Sequence, residues 1–217
     1  YLQGLEVGGT LVPCQDVSGD FYDFIPMPTG DLGIVVADTV GKGIPAALIM
    51  VLTSTLLRSL AQEGLTLPSL LKKVNETLYE HTAPGIFVDL CYLVLSHDHR
   101  RLTYITAGGI NPLFFRAQAG NTFTTLRTEG QVLGAFPDVK LSVMEKELNE
   151  EDIILIWTDG LIEQSDVKGR RFGENRLRTY LKEHKHLSMA ELTEQLYQRM
   201  IDFSRRELSD DVTIIAI

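Results

Sequence analysis

The sequence predicts an α+β fold in which two antiparallel β-sheets form a sandwich with α-helices packed on its outer faces. Its predicted elements come in blocks: strands, two helices, many strands, two helices and a final strand. Such blocks favour antiparallel sheets, because a doubly wound parallel sheet alternates strand and helix. The 217 residues, 44% of them apolar, suffice for one substantial core. We therefore expect residues 1–217 to form a single domain.

The first block is predicted as three short strands at 5–14, 20–27 and 31–38. Apolar and β-branched residues fill these segments, and Gly, Pro and Asp separate them. The turn at Pro28–Asp31 joins the second and third strands into a hairpin.

Two helices are expected next, at 44–61 and 67–82. Pro45 suits the first turn of the first helix, and Gly64 follows its end. This helix is apolar nearly all round, so we expect it to be deeply buried. In the second helix apolar residues recur at helical spacing opposite a charged face, so it should pack beside the first.

The remainder is predicted as a β-rich region followed by two helices and a last strand. Ser188–Glu191 has the pattern of a capping box, which marks the start of the second of these helices. The expected strands are 87–95, 101–107, 112–116, 122–126, 140–147, 152–157 and 212–217, and the helices are 172–183 and 189–204.

Charge and composition exclude several classes of function. The net charge of −9 argues against a broad surface for nucleic acid or anionic membranes. Cys14 and Cys91 lie in separate apolar stretches, as reduced thiols of a cytoplasmic protein do. No apolar run looks long enough to cross a bilayer, so we expect no membrane insertion. Because Tyr1 is not an initiator methionine, we expect a longer protein.

Acidic residues at the ends of apolar runs carry the chemical signal. Each has a glycine or a second acid within three residues, and together they are Asp20, Asp38, Asp159 and the pair Asp210 and Asp211. Singly, each is more typical of a turn or a strand entry. Together they would repel one another unless cations or protons intervene. Carboxylates held at strand ends favour Mg²⁺ or Mn²⁺ over zinc.

A pair of such ions could activate a water molecule for in-line attack on a phosphoryl group. No pattern for a protein nucleophile competes with this interpretation: Cys14 and Cys91 lack an arginine six residues later, and no serine elbow or phosphate loop occurs. His184 and His186 point apart on a charged helix end and are expected at the surface. Lys42, between two glycines, could face phosphate or simply belong to the loop.

Five ordered motifs carry a family resemblance that runs from about residue 17 to 217. The chain resembles the metal-dependent (PPM, type 2C) protein serine/threonine phosphatases, and in particular their bacterial SpoIIE/RsbU branch. The motifs are Val-Ser-Gly-Asp-Phe-Tyr-Asp (17–23), Val-Ala-Asp-Thr-Val-Gly-Lys-Gly (36–43), Tyr-Ile-Thr-Ala-Gly (104–108), Trp-Thr-Asp-Gly-Leu-Ile-Glu (157–163) and Asp-Asp-Val-Thr (210–213).

The resemblance implies a two-sheet β-sandwich with two Mn²⁺ or Mg²⁺ ions at one end. Asp38 would bridge both ions, and Thr39 would offer its backbone carbonyl. Asp20 would hold one ion, and Asp159 with Asp210 would hold the other.

Further roles are implied at the edge of this site. Asp211 is the alternative to Asp210, and Glu163 matches an acid that binds a third, weaker ion. Asp23 would contact the metal ligands and not the ions themselves. The chain departs from the family at Gly109, where relatives have histidine. The arginine that eukaryotic relatives use to grip phosphate is absent from Val12–Gly19.

By resemblance, the chain would hydrolyse phosphoserine or phosphothreonine on a STAS-type anti-sigma-factor antagonist. A preceding sensor, receiver or coiled-coil module, or an activator protein, would act through the helices at 44–61 and 67–82, where a homodimer could also form. A catalytically silent binding module with the same fold is the alternative. A metal-dependent nuclease or phosphodiesterase fits less well, because no basic and aromatic surface for nucleic acid is evident.

Overall fold

The computed structural model describes residues 4–118 and 120–217, and it has the predicted α+β sandwich. These residues form ten strands and five helices. The strands are β1 (Gly8–Val12), β2 (Asp20–Pro26), β3 (Leu32–Thr39), β4 (Val88–Leu95), β5 (Arg101–Ala107), β6 (Leu113–Arg116), β7 (Thr122–Thr125), β8 (Met144–Glu147), β9 (Asp152–Trp157) and β10 (Val212–Ala216). The helices are α1 (Ile44–Ala61), α2 (Leu67–His81), α3 (Asp159–Glu163), α4 (Gly173–His184) and α5 (Met189–Ser204).

The strands make two five-stranded antiparallel sheets. One has the order β1-β10-β9-β6-β7, and the other has the order β2-β3-β4-β5-β8. Successive side chains of β3 alternate between two cores, as the two-residue period of a strand requires. Ile34 and Val36 lie in the core between the sheets, whereas Val35 and Ala37 lie in the core beneath α1 and α2. A third core joins the other sheet to α4 and α5.

Most predicted elements are confirmed, two differ in extent, and one short helix was not predicted. The capping box at Ser188 is formed with Glu191. The first strand is limited to Gly8–Val12, and the predicted strand 140–147 is ordered as β8 only from Met144, with an isolated bridge earlier at Leu141. The five-residue helix α3 was not predicted, because it is too short to show helical periodicity. Cys14 and Cys91 are both free, as expected.

The expectation that α1 is deeply buried was wrong. Ile44, Leu48 and Val51 are 70%, 65% and 54% exposed, although Leu57 on the same helix is fully buried. Only one side of α1 packs on β2, β3 and α2. The exposed residues follow helical spacing and line one face. We call Ile44, Leu48 and Val51 the α1 stripe.

By length and composition α1 could also cross a membrane, contrary to the expectation that no apolar segment is long enough. Helices that pack on the core of a soluble protein pass the same test. Here α1 is tied to the sheet by an ion pair between Arg58 and Asp23 of β2.

Candidate metal centre

A row of carboxylates crosses one end of the sheet that contains β2, β3 and β4. Asp20 on β2 pairs directly with Asp38 on β3, and Asp38 pairs directly with Asp89 on β4. Directly opposed residues of antiparallel strands project from the same face, with Cβ atoms about 5 Å apart. The three acids therefore lie side by side on the face that meets the other sheet.

The other sheet brings Asp159 and Asp210 to the same end. Asp159 begins α3 directly after β9, and Asp210 stands two residues before β10, the neighbour of β9. The hydroxyls of Thr158 and Thr213 donate to Oδ2 of Asp20 at 2.6 and 2.7 Å, which links the two sheets. The structure thus brings Asp20, Asp159 and Asp210 close enough to Asp38 for their charges to act on it.

Gly160 permits the start of α3 to lie very close to the segment before β10. A Cβ atom at Gly160 would lie 2.0 Å from the carbonyl oxygen of Asp211, which no side chain could tolerate. The Asp-Gly pair at the start of α3 therefore reflects contact between two backbone segments as well as the helix start.

The two neighbouring acids before β10 have different environments. Asp211 is 5% exposed: its Oδ1 accepts the N–H of Cys14 at 2.7 Å, and its Oδ2 accepts Ser18 Oγ at 2.9 Å and the N–H of Gly19 at 2.7 Å. Burial raises the pKa of Asp211, but these donors outweigh it, and the pKa is lowered overall. The Asp210 side chain is 41% exposed. This contrast favours Asp210 as the ligand and Asp211 as the anchor of the loop before Asp20.

Each carboxyl group of the centre disfavours the ionised form of its neighbours. The pKa of Asp38 is raised well above its usual value by burial and then by the charges of Asp20, Asp159 and Asp210. Burial is also the main reason why the pKa of Asp20 and that of Asp159 are raised. A cation among these carboxylates would relieve both the desolvation and the repulsion.

The donor set fits Mg²⁺ or Mn²⁺. Within residues 4–118 and 120–217, no three acidic, histidine or cysteine side chains converge closely enough to hold one metal ion together. Three side-chain ligands on one ion are not required, because Mg²⁺ keeps several waters and binds through one or two carboxylates. The donors are all oxygen atoms, which disfavours zinc. Asp38, central in the row, is the residue best suited to serve two ions.

Three further residues had been assigned roles from the sequence. Thr39 is buried, its N–H donates to the carbonyl of Gly19 at 3.2 Å, and its hydroxyl has no hydrogen-bond partner among the described residues. Glu163 lies at the end of α3, one turn beyond Asp159, and pairs with Arg171 at 2.6 Å. Asp23 lies on the opposite face of β2 from Asp20 and pairs with Arg58, so it does not support the predicted metal ligands.

Asp89 was missed, because it lies within an apolar strand without a neighbouring glycine or acid. An ionisable residue in such a strand is itself unusual and could have been noticed. Its oxygens accept the N–H groups of Gly109 at 2.6 Å and Ile110 at 3.0 Å. Burial raises the pKa of Asp89, although these donors oppose it.

The contacts of Asp89 leave little space for side chains at the two glycines that face it. A Cβ atom would lie 2.6 Å from Asp89 if built on Gly108, and 3.0 Å from Asp89 if built on Gly109. A side chain at position 109 would therefore require Asp89 to shift by a few tenths of an ångström.

Comparisons with known proteins agree with this fold. A model of the Stage II sporulation protein E (SpoIIE) family matches residues 28–217. The phosphoserine phosphatase RsbU of Bacillus subtilis (strain 168) is 31% identical over 216 residues, which cover 99% of this chain and 63% of RsbU. The chain therefore spans less than two thirds of the length of that relative.

Solved structures share the fold. The SiaA-PP2C domain of Pseudomonas aeruginosa superposes with a TM-score of 0.85 at 20% identity, covering 97% of this chain and 85% of that one. The RsbU and RsbW domains of a Mycobacterium tuberculosis protein give a TM-score of 0.80 at 24% identity, covering 100% of this chain and 63% of that one.

Proposed function

This chain belongs to the SpoIIE family, and we propose that it is a metal-dependent phosphatase that hydrolyses phosphoserine or phosphothreonine in a protein substrate. The observation that carries the proposal is the convergence of Asp20, Asp38, Asp159 and Asp210 from both sheets at one end of the sandwich. RsbU is named a phosphoserine phosphatase, which supports phosphoserine as the group that this chain hydrolyses.

The proposed roles follow from the environment of each acid. Asp38, central in the carboxylate row, would bridge two ions, with Asp20 on one and Asp159 and Asp210 on the other. The hydroxyls of Thr158 and Thr213 hold one oxygen of Asp20, and the carboxyl group of Asp20 also interacts with that of Asp38. The carbonyl of Thr39 and the carboxylate of Glu163 would be additional ligands, Glu163 for a third, weaker ion.

A Mn²⁺ or Mg²⁺ pair bound there would activate water and polarise the phosphoryl group. The chain's own contribution is to fix the acids in place, because small errors of position are costly in catalysis. Asp211 does this for the loop before Asp20, and Gly160 does it for the start of α3. No phosphorylated protein intermediate is required.

The substrate we propose is a phosphorylated STAS-type antagonist of an anti-sigma factor, within a bacterial partner-switching pathway in the cytoplasm. Support comes from RsbU and from the solved protein that carries RsbU and RsbW domains. Because the chain spans 63% of RsbU, we further propose that a regulatory domain or activator protein controls the site. The exposed α1 stripe supports such a contact or a homodimer, since monomeric proteins rarely expose large contiguous apolar patches.

The test is phosphate release from a phosphoserine STAS-type protein and from an unrelated phosphoserine protein. Each would be incubated with Mn²⁺, with or without EDTA, using the native chain, Asp38→Asn, Asp159→Asn and, as an exposed control, Asp138→Asn. We expect release that needs Mn²⁺ and both acids, is unchanged in Asp138→Asn and is faster on the STAS-type protein. Equal release from both substrates would contradict the substrate assignment. No metal-dependent release would favour the silent binding module.

A further inference from the structure

We propose that Lys42 binds the phosphate group of the substrate, in addition to the metal-binding acids. This proposal rests on the phosphatase function above and names a residue that the function leaves unused. Lys42 lies in the loop between β3 and α1, four residues after Asp38.

The position of the Lys42 ammonium group is the first argument. Its Nζ lies 2.9 Å from Oδ2 of Asp210 and donates to the carbonyl of Ser209. The amine therefore reaches from the β3–α1 loop to the segment that carries a predicted metal ligand. With 38% of its side chain exposed, Lys42 remains accessible to a substrate.

Charge is the second argument. A phosphoserine dianion must enter a centre that contains at least four carboxylates, so positive charge beside the metals would favour binding. Among Asp20, Asp38, Asp159 and Asp210, only Asp210 has an ion pair with a basic side chain in the described part of the chain. Arg171 pairs instead with Glu163, one helical turn away from Asp159.

The loop backbone is the third argument. Gly41 and Gly43, on either side of Lys42, have φ angles of 98° and 71°, which glycine adopts without strain. The 15–20 segment lies against this loop, because a Cβ atom on Gly43 would approach Gln15 to 3.0 Å and one on Gly19 would approach the Gly41 carbonyl to 3.6 Å. These contacts hold the base of the lysine close to the loop that leads into Asp20.

An ammonium bound to Asp210 shares that carboxylate with any divalent ion. A metal at Asp210 draws electron density from the carboxylate and repels Lys42, so the lysine is better paired with a phosphate oxygen. The competing explanation is that Lys42 merely fastens the 209–210 segment to the loop. These explanations differ in what removal of the amine does to metal binding.

The experiment compares Lys42→Ala and Lys42→Arg with Lys73→Ala in the full chain. Lys73 is a matched control, because it is also a half-exposed lysine paired with an acid, Glu63, at 2.9 Å. Four quantities are measured: Mn²⁺ affinity by calorimetry, affinity for inorganic phosphate by phosphorus NMR of the Mn²⁺-loaded chain, and KM and kcat on a phosphoserine protein.

We expect Lys42→Ala to weaken phosphate binding and raise KM, each about tenfold, the effect of one charge-assisted hydrogen bond at a partly exposed site. Its kcat should stay within about threefold, and Mn²⁺ should bind equally or more tightly because a neighbouring positive charge is gone. Lys42→Arg should recover most of the phosphate affinity, and Lys73→Ala should match the native chain.

Unchanged phosphate affinity in Lys42→Ala would overturn the role of Lys42. A fall in Mn²⁺ affinity together with kcat would also overturn it, since that result identifies a fastening role. Failure of the native chain to release phosphate would instead count against the proposed phosphatase function. The ratio of phosphate affinities between the native chain and Lys42→Ala would still test the role of Lys42.

Discussion

Replacing Asp38 with asparagine should stabilise the metal-free chain and remove its stabilisation by Mn²⁺. Asp38 lies between Asp20 and Asp89 in the carboxylate row, and its pKa is raised by burial and by neighbouring acids. The native carboxylate therefore costs stability unless a cation or proton accompanies it. Asparagine keeps the shape and removes the charge.

The size of the effect follows from the spacing of the row. Two carboxylates about 5 Å apart repel by about 3 kcal/mol at an effective dielectric constant of about 20. Binding of a proton by Asp38 relieves part of this, so we expect a net gain of about 2 kcal/mol for Asp38→Asn at pH 8. For a domain of this size, that corresponds to about 4–8 °C in melting temperature.

The sign of the pH dependence is fixed by the direction of the shift. With a folded-state pKa above the unfolded value, the folded chain holds the proton of Asp38 more tightly than the unfolded chain does. The native chain therefore loses stability as pH rises above about 4, the ordinary aspartate pKa, toward the raised value. The advantage of Asp38→Asn should be larger at pH 8 than at pH 5.

The assay is thermal unfolding in EDTA and in Mn²⁺, at pH 5 and pH 8, with Asp138→Asn as the exposed control. Mn²⁺ at about a hundred times its dissociation constant should stabilise the native chain and the control by about 3 kcal/mol. It should stabilise Asp38→Asn far less. The opposing results are that Asp38→Asn melts below the native chain in EDTA, or that it responds to Mn²⁺ as strongly as the native chain does. Either result would contradict the role of Asp38 as a destabilising charge that binds metal.

Three further substitutions test the contacts around the centre. Asp89→Asn should lower the free energy of unfolding by about 1–3 kcal/mol, because an amide cannot accept both the Gly109 and Ile110 N–H groups as the carboxylate does. Urea unfolding measures the loss of stability, and hydrogen exchange at the two amides measures the loss of the hydrogen bonds. Unchanged exchange at these amides would contradict the prediction. Asp211→Asn should cost a similar amount, whereas Asp210→Asn should change the free energy of unfolding by less than about 0.5 kcal/mol while lowering Mn²⁺ affinity at least tenfold. The opposite pattern in unfolding and calorimetry would make Asp211 the ligand.

Much of the fold and the site could be predicted from the sequence because the signals were local. Asp38 follows an uninterrupted apolar strand and precedes Gly41 and Gly43, so strand, acid and turn are all visible in one segment. Asp159 and Gly160 repeat the pattern. Convergence of such segments from both sheets followed from the predicted sandwich and the family resemblance.

What the sequence did not reveal depends on partners distant in the chain. The apolar composition of α1 predicts burial, but it cannot say that the sheet and α2 cover only one side and leave Leu48 exposed. Asp89 has no local pattern, and its importance comes from its register opposite Asp38 and from its contacts with Gly109. The difference between Asp210 and Asp211 likewise depends on the loop near Cys14 and Gly19, about 190 residues away.

We propose that Asp20, Asp38, Asp159 and Asp210 hold a pair of divalent ions. Anomalous diffraction at the manganese absorption edge, from crystals soaked in Mn²⁺, would locate these ions. We expect two anomalous peaks that share Asp38, one beside Asp20 and one beside Asp159 and Asp210. Peaks that avoid Asp38, or their absence from this end of the sandwich at saturating Mn²⁺, would contradict it.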